Sequence, residues 1–125
     1  MLTTGVDIVD IPRIEAAAAR FGDRFLKRVY TPAELSYCCG RASELAARFA
    51  AKEAVAKALG VGLAHMAEGG VGCREVEVLA DKLGKPHLVL HGRARALAEE
   101  LSLREWSISL SHGAHTAIAF VVALS

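Results

Sequence analysis

Cysteine is scarce in this chain of 125 residues, and what there is follows no recognisable motif. The count of three is odd, Cys38 and Cys39 are adjacent, and Cys73 stands alone. Neither a disulfide framework nor a CxxC metal site has this spacing. We therefore expect the cysteines to be reduced thiols with a structural role.

Strong charge and long apolar runs are also missing. A formal net charge of +1 and a pI near 7.8 provide no field for binding nucleic acid. Charged residues or glycines interrupt every apolar stretch before the roughly 18 to 20 residues that a membrane span needs. The segment Met1–Asp7 has neither the basic nor the apolar region of a signal peptide. We expect a cytoplasmic protein with no nucleic-acid or membrane partner.

Hydrophobic residues, by contrast, are abundant, at 53% of the chain. This is enough apolar surface for one compact core, and no change of composition marks a second one. The sequence contains no internal repeat and no low-complexity tract. We expect a single domain over residues 1–125.

Helical patterns dominate the first half of the chain. Thr31, Pro32 and Glu34 supply a capping hydroxyl, a first-turn proline and an N3 carboxylate, which together predict a helix start. The strongest helix is rich in alanine, leucine, glutamate and lysine, with Ser43 as its predicted N-cap and Gly60 after its end. The predicted helices run from Pro12 to about Phe21, from Pro32 to about Gly40, from Ser43 to Leu59 and from Arg93 to Leu101.

Strand patterns open the chain and dominate its second half. In Thr4–Asp10 the side chains alternate, with Val6 and Ile8 on one side and Gly5, Asp7 and Val9 on the other. The other predicted strands are Glu75–Ala80 and His87–His91, which form a hairpin, and Trp106–Ser111 and Thr116–Leu124, which are separated by a tight turn. The order predicts an α+β fold, an antiparallel sheet with helices packed on it.

Asp7 is a carboxylate in the middle of an otherwise apolar strand. An unpaired carboxylate there would be costly to bury, so it needs a partner or access to water. One reading is an aspartate that faces water or caps the next helix. The other is a ligand for a hard cation such as Mg²⁺, which prefers carboxylate oxygens.

Glu53 and Lys57 share one face of the strongest helix, because residues four apart are neighbours on a helix surface. A surface ion pair is the simplest interpretation of such a pair. Phe49 on the same stripe, and Gly60 and Gly62 just beyond the helix, instead favour a site that a ligand approaches closely.

Serines alternate along the strand that ends at His112. Ser107, Ser109 and Ser111 form either a solvated face or a row of hydroxyls able to hold phosphate oxygens. His112 and His115 lie in a turn without a nearby cysteine or acid, which disfavours zinc. We expect the remaining histidines to be structural or solvated; these are His65, His87 and His91.

Four segments together resemble the 4′-phosphopantetheinyl transferase superfamily, in particular its short bacterial members. They are Gly5-Val-Asp-Ile-Val-Asp-Ile-Pro-Arg-Ile-Glu15, Arg48-Phe-Ala-Ala-Lys-Glu-Ala-Val-Ala-Lys-Ala-Leu-Gly60, Gly84-Lys-Pro86 and Ser109-Leu-Ser-His112. Their order and spacing match over essentially the whole chain. The resemblance implies an enzyme that transfers the 4′-phosphopantetheine group of coenzyme A to a serine of an acyl carrier protein in fatty acid biosynthesis, with release of adenosine 3′,5′-bisphosphate.

The resemblance also implies roles for individual residues. Asp7 and Glu53 would hold Mg²⁺, Glu53 or a metal-held water would take the serine proton, and Lys57 would stabilise the leaving phosphates. The coenzyme A contacts would be Arg48, Lys57, Gly60, Lys85, Pro86, Ser111 and His112. One departure from the family pattern is Gly113, where an acidic residue often follows the histidine; a mechanism that needs an acid there does not apply to this chain.

Two kinds of partner follow from the resemblance. An acidic carrier protein would dock on arginines near the first helix, and the candidates are Arg13, Arg20 and Arg24, although Gly22 interrupts the helical spacing. Short members of the family form cyclic homotrimers with shared active sites. Two other classes stay open on the residues alone: a non-catalytic nucleotide or acyl-coenzyme A binding module, and a structural oligomer built on the apolar strand Ala117–Leu124.

Overall fold

The computed structural model describes residues 1–63 and 69–125, and His65 lies outside them. In chain order the elements are β1 (Leu2–Asp10), α1 (Ile11–Phe21), α2 (Asp23–Val29), α3 (Pro32–Cys38), α4 (Ala42–Ala58), a 3₁₀ turn (Cys73–Glu75), β2 (Val76–Ala80), β3 (Pro86–Leu90), α5 (Gly92–Glu100), β4 (Glu105–His112) and β5 (Thr116–Leu124). The α+β class and the antiparallel strands are confirmed. Across the two described ranges, no helix combines the length and the hydropathy that a bilayer span requires.

The first strand pairs with the last. The main sheet has the order β1-β5-β4 and is antiparallel throughout, while β2 and β3 form the separate predicted hairpin. Helix α4 packs on one face of the main sheet, which we call the inner face. Gly5 allows this close packing, since a Cβ there would lie 1.9 Å from the Ala54 carbonyl oxygen. The core therefore lies between α4 and this sheet.

The opposite face of the main sheet, which we call the outer sheet face, is apolar over β1 and β5 and carries the serines of β4, and its large apolar side chains are exposed in the part of the chain that the structure describes. The alternation of β1 directs Val6 and Ile8 to this face, and Ile8 is 63% exposed. Phe120 of β5 pairs with Val6 and is 44% exposed. The large apolar side chains of the outer sheet face are Leu2, Val6, Ile8, Ile118, Phe120 and Leu124.

Two local expectations about the helices need correction or extension. The predicted serine cap of α4 is wrong: the helix begins at Ala42 after Arg41, and Ser43 lies inside its first turn. The Arg41 side chain instead donates from Nε to the Cys38 carbonyl at 2.9 Å, which joins the two helices. Helix α2 was not predicted; it starts after Gly22, whose positive φ of 56° separates it from α1.

The capping box predicted for α3 is confirmed, and its glutamate has a second role. Glu34 accepts a hydrogen bond from the Thr31 backbone at 2.9 Å and forms a fully buried ion pair with Lys52, with Nζ–O distances of 2.8 and 3.0 Å. Lys52 also donates to the carbonyls of Cys73 and Val76. This network joins α3, α4 and β2, so Lys52 holds α4 in place from the side away from the sheet.

Candidate active site

Asp7, Glu53 and Lys57 come together where β1 crosses α4. The Lys57 ammonium donates to the Asp7 carboxylate at 3.0 Å and to the Val6 carbonyl at 3.0 Å. Asp10, not Asp7, precedes the first residue of α1, so Asp7 does not cap that helix. Lys57 therefore links the helix to the strand at this point.

Asp7 and Glu53 line a cavity of about 530 Å³, which we call the carboxylate cavity. Arg13 of α1 also lines it, together with apolar side chains of α1, α2 and α4 such as Phe25 and Phe49. A second, smaller space of about 100 Å³ lies beside Glu53 and Lys57 and is bordered by the segment after α4, which includes Gly62. Gly60 is exposed, with a positive φ of 78°, at the end of α4.

Asp7 and Glu53 repel each other when both are ionised. Burial raises the pKa of Glu53, and the charge of Asp7 together with a hydrogen bond to it raises this pKa further. Lys57 and Arg13 act in the opposite direction but do not cancel the shift. A divalent cation would remove this repulsion, because it stabilises both ionised carboxylates.

The donor set fits Mg²⁺ in particular. This ion is commonly bound through one or two carboxylates plus substrate phosphates. The residues that the structure describes contain no group of three or more histidine, cysteine, aspartate or glutamate side chains able to hold a metal. Asp7 and Glu53 supply the two carboxylates that such a site uses.

Arg48 and His112 border a different space of about 190 Å³, which we call the arginine cavity. Its other polar wall residues are Tyr37 and Glu44, and it is also bordered by Gly84 of the β2–β3 loop and by Pro86, the first residue of β3. Lys85, between Gly84 and Pro86, is exposed. Ser111 is not brought into this cavity: it pairs with Ile118, so its side chain points to the outer sheet face, opposite to His112.

The carboxylate cavity and the arginine cavity lie on opposite sides of α4. Glu53 lines the first and Glu44 lines the second. These residues are nine positions apart, or about two and a half helical turns, so they point in opposite directions from the helix axis. The two halves of the site predicted from sequence are therefore separated within one chain.

The basic residues near the first helix are divided between two elements. Arg13 reaches the carboxylate cavity, while Arg24 and Arg28 of α2 line a neighbouring groove of about 310 Å³. Phe21 and Phe25 border both spaces. Arg20 stacks on the Phe21 ring at 5.1 Å. An apolar groove with a basic rim thus leads to the two carboxylates.

Sequence reasoning missed three residues of these sites. Tyr37 and Glu44 carry no motif that a sequence scan would select, although Glu44 lies four residues before Arg48 and so shares its helix face. Asp10 also lines the carboxylate cavity. Strand alternation directs Asp10 to the face opposite to Asp7, so no local pattern indicated that it borders the same cavity.

A family model described as the 4′-phosphopantetheinyl transferase superfamily matches residues 3–120 of the chain. A holo-[acyl-carrier-protein] synthase of Herpetosiphon aurantiacus is 54% identical, over 99% of both chains. The holo-[acyl-carrier-protein] synthase of Koribacter versatilis is 46% identical over 98% of this chain and 97% of that protein.

Solved structures agree with these sequence matches. A Helicobacter pylori holo-[acyl-carrier-protein] synthase in complex with coenzyme A superposes with a TM-score of 0.85 at 33% identity, covering 97% of this chain and 99% of that one. The corresponding protein of Neisseria meningitidis gives 0.84 at 37% identity, with 98% of each chain covered.

Proposed function

The chain belongs to the 4′-phosphopantetheinyl transferase superfamily, and from this membership we propose that it is a Mg²⁺-dependent holo-acyl-carrier-protein synthase. It transfers the 4′-phosphopantetheine group of coenzyme A to a serine of an apo acyl carrier protein and releases adenosine 3′,5′-bisphosphate, in the service of fatty acid biosynthesis. The observation that carries the proposal is the meeting of Asp7, Glu53 and Lys57 beside the carboxylate cavity.

The reaction forms one phosphorus–oxygen bond and breaks another. The serine oxygen bonds to the phosphorus that carries the pantetheine arm, and the bond from that phosphorus to the bridging oxygen of the pyrophosphate breaks. Glu53, or a water that the bound metal would hold, accepts the serine proton. Lys57, which is 55% exposed, has room to turn from Asp7 to the departing phosphate.

Asp7 and Glu53 would hold Mg²⁺, which neutralises negative charge on the pyrophosphate and on the leaving group. The residues of the chain then need to align the two substrates. Arg13 and the groove of Phe21 and Phe25 bring the carrier serine to the open side of the carboxylate cavity. Because the reaction requires little covalent assistance from the protein, alignment and charge account for most of the catalysis.

The nucleotide end of coenzyme A is assigned to the arginine cavity. Arg48 and His112 bind the 3′-phosphate, and Lys85 and Pro86 border the nucleotide. Gly60 lets the backbone after α4 come close to the substrate. Ser111 faces the opposite side of the sheet and is not assigned to this end of the coenzyme A site.

We also propose a cyclic homotrimer with three shared sites. Within one chain the two cavities lie on opposite sides of α4, so a single coenzyme A fits the proposed assignments when one copy supplies the carboxylate cavity and a neighbour supplies the arginine cavity. The outer sheet face supports such an assembly, since a contiguous exposed apolar surface is typical of an interface.

The test is to incubate the purified chain with coenzyme A, Mg²⁺ and an apo acyl carrier protein. We expect the carrier mass to rise by about 340 Da, the mass of the transferred group, with stoichiometric release of adenosine 3′,5′-bisphosphate. A carrier with alanine in place of its acceptor serine is the control. An unmodified carrier, with coenzyme A bound by the chain, would instead indicate a non-catalytic binding module.

A further inference from the structure

Glu44 is a carboxylate in the wall of the cavity that the proposed function gives to a phosphate. Its Oε2 accepts a hydrogen bond from Arg48 Nη1 at 2.7 Å, and its Oε1 lies 4.0 Å from His112 Nε2. Both basic partners belong to the proposed 3′-phosphate site. A negative group at this point would at first sight oppose phosphate binding, so its presence requires a reason.

The burial of Arg48 supplies that reason. Its side chain is only 2% exposed and stacks on the Tyr37 ring at 4.4 Å. Within residues 1–63 and 69–125, its Nε has no hydrogen-bond partner. A guanidinium is costly to bury without a counter-charge, and Glu44 is the carboxylate bonded to it. Without Glu44, the guanidinium would gain by turning out to solvent.

The Glu44 contact occupies only part of the Arg48 donor set. A guanidinium carries five N–H donors in a planar fork, and the Glu44 carboxylate engages Nη1 alone. Tyr37 fixes the plane of the fork by stacking on it. The pair can therefore hold Arg48 in one orientation while other donors remain for a phosphate.

We infer that Glu44 is a positioning residue that fixes Arg48, and more loosely His112, for recognition of the 3′-phosphate of coenzyme A. This inference rests on the proposed function, because it takes the arginine cavity to be the 3′-phosphate site. Glu44 should favour binding of the 3′-phosphate overall, although its negative charge repels that phosphate. The reason is that the buried guanidinium of Arg48 pairs with no other carboxylate among the described residues.

The experiment compares coenzyme A with 3′-dephospho-coenzyme A, which lacks only the phosphate in question. Titration calorimetry at constant Mg²⁺ gives the two Kd values for the wild-type chain and for Glu44→Gln. We expect the wild type to prefer coenzyme A, and Glu44→Gln to lower this preference about tenfold, which corresponds to ~1.4 kcal/mol. The Kd for the dephospho compound should hardly change.

A matched control is Glu99→Gln. Glu99 also pairs with an arginine four residues away on a helix, Arg95 at 3.1 Å, but this pair is exposed on α5. Its removal should leave the preference unchanged. Glu44→Asp keeps the charge on a shorter side chain and should give an intermediate preference. If Glu44→Gln does not fold, Glu44→Asp takes its place in the comparison of the two Kd values.

The outcomes separate this inference from the proposed function. If the wild type binds both compounds equally, the 3′-phosphate assignment fails, and the role of Glu44 fails with it. If the wild type discriminates but Glu44→Gln weakens both compounds equally, or tightens coenzyme A, Glu44 is not a positioning residue and the proposed function stands.

A second comparison tests whether Glu44 acts through Arg48. In an Arg48→Gln background, Glu44→Gln should cause little further loss of preference, because the group that it positions is already gone. A further loss as large as that in the wild type would overturn the inference.

Discussion

At the scale of single residues, the site depends on two carboxylates that the fold holds close together at some cost. Asp7 lies on the inner face of β1 and Glu53 on the face of α4 that meets this strand. Burial raises the pKa of Glu53, and the nearby charge of Asp7 raises it further. Like charges gathered at an open cavity are typical of functional sites, where a ligand completes the charge balance.

Asp7→Asn and Glu53→Gln should each reduce turnover by about 100-fold or more, because each removes charge that holds the cation against the transition state. Circular dichroism should remain that of the wild type. The measurement is the rate of carrier modification at saturating coenzyme A across a Mg²⁺ series. Wild-type turnover in both folded variants at saturating Mg²⁺ would show that the metal assignment is wrong.

At the scale of elements, α4 is held on its two sides by different forces. The sheet side is close-packed around alanine and Gly5, whereas the other side is held by the buried pair of Lys52 and Glu34. Removal of one partner from such a pair leaves an uncompensated buried charge. Lys52 and Glu53 are adjacent in sequence, yet one is structural and the other faces the site.

Lys52→Met should therefore lower the free energy of unfolding by about 3–5 kcal/mol, since Glu34 loses its counter-charge. The matched control is Lys57→Met on the same helix, where the half-exposed ion pair with Asp7 should contribute less than about 1 kcal/mol. Urea unfolding of the three proteins gives the comparison. Equal losses in the two variants would contradict a special role for the buried pair.

The hairpin of β2 and β3 is joined to the helices through Glu77, which makes its stability dependent on pH. Burial opposes ionisation of Glu77, but hydrogen bonds with Thr31 and His91 outweigh it, so the pKa of Glu77 is lowered. A lowered carboxyl pKa in the folded state stabilises the fold above the ordinary glutamate value of about 4.3, and this contribution is lost as the pH falls below it.

Glu77→Gln should consequently have a lower Tm than the wild type at pH 6, and the difference should shrink as the pH falls below the ordinary glutamate value of about 4.3. Thermal unfolding over this range is the measurement. A difference that stayed constant or grew on acidification would mean that the ionised form of Glu77 does not stabilise the fold.

At the scale of the whole molecule, the described residues leave large apolar side chains exposed on the outer sheet face, and the carboxylate and arginine cavities lie on opposite sides of α4. A ring of copies would account for both features. It would cover the outer sheet face and bring the carboxylate cavity of one copy next to the arginine cavity of another. A head-to-tail ring of this kind gives equivalent sites at every interface.

Complementation tests the shared site. Asp7→Ala removes a residue of the carboxylate cavity, and His112→Ala removes one of the arginine cavity. If each site lies between two copies, refolding the two inactive variants together should restore roughly a quarter of the sites. A site is intact when a His112→Ala copy supplies the carboxylate cavity and an Asp7→Ala copy supplies the arginine cavity, and random mixing gives this combination about one time in four. Activity equal to the average of the two parents, with exchange of copies demonstrated by mass, would place each site within one chain.

The carrier surface gives a prediction that depends on salt. Arg13→Glu should raise the KM for the carrier most strongly at low ionic strength, because charges at the rim of an interface act mainly on association and are screened by salt. The Kd for coenzyme A should change less than the KM for the carrier, although Arg13 also lines the carboxylate cavity. Arg95→Glu on α5 is the control, and an equal rise of KM in both variants would exclude the groove beside α1 as the specific docking face.

Much of the local structure could be predicted from the sequence. The capping box of Thr31 and Glu34, the alanine-rich helix and the strand over Thr116–Leu124 were identified because near neighbours in the chain determine them. The same holds for Glu53 and Lys57, whose spacing on a helix fixes their common direction. Failures occurred where local signals compete: Ser43 could cap α4, but the observed N-cap is Arg41, two residues earlier, whose side chain bonds to the Cys38 carbonyl.

The sequence by itself determined which residue types were available for chemistry and which segments would be helices and strands, since these depend on side chains a few positions apart. Only the tertiary structure decided which of them meet. Pairing of β1 with β5 spans nearly the whole chain, and it sets Asp7 against α4 beside Lys57. Burial of Lys52 and Arg48, and the separation of the two cavities by α4, likewise arise from packing between distant segments, which no local pattern encodes.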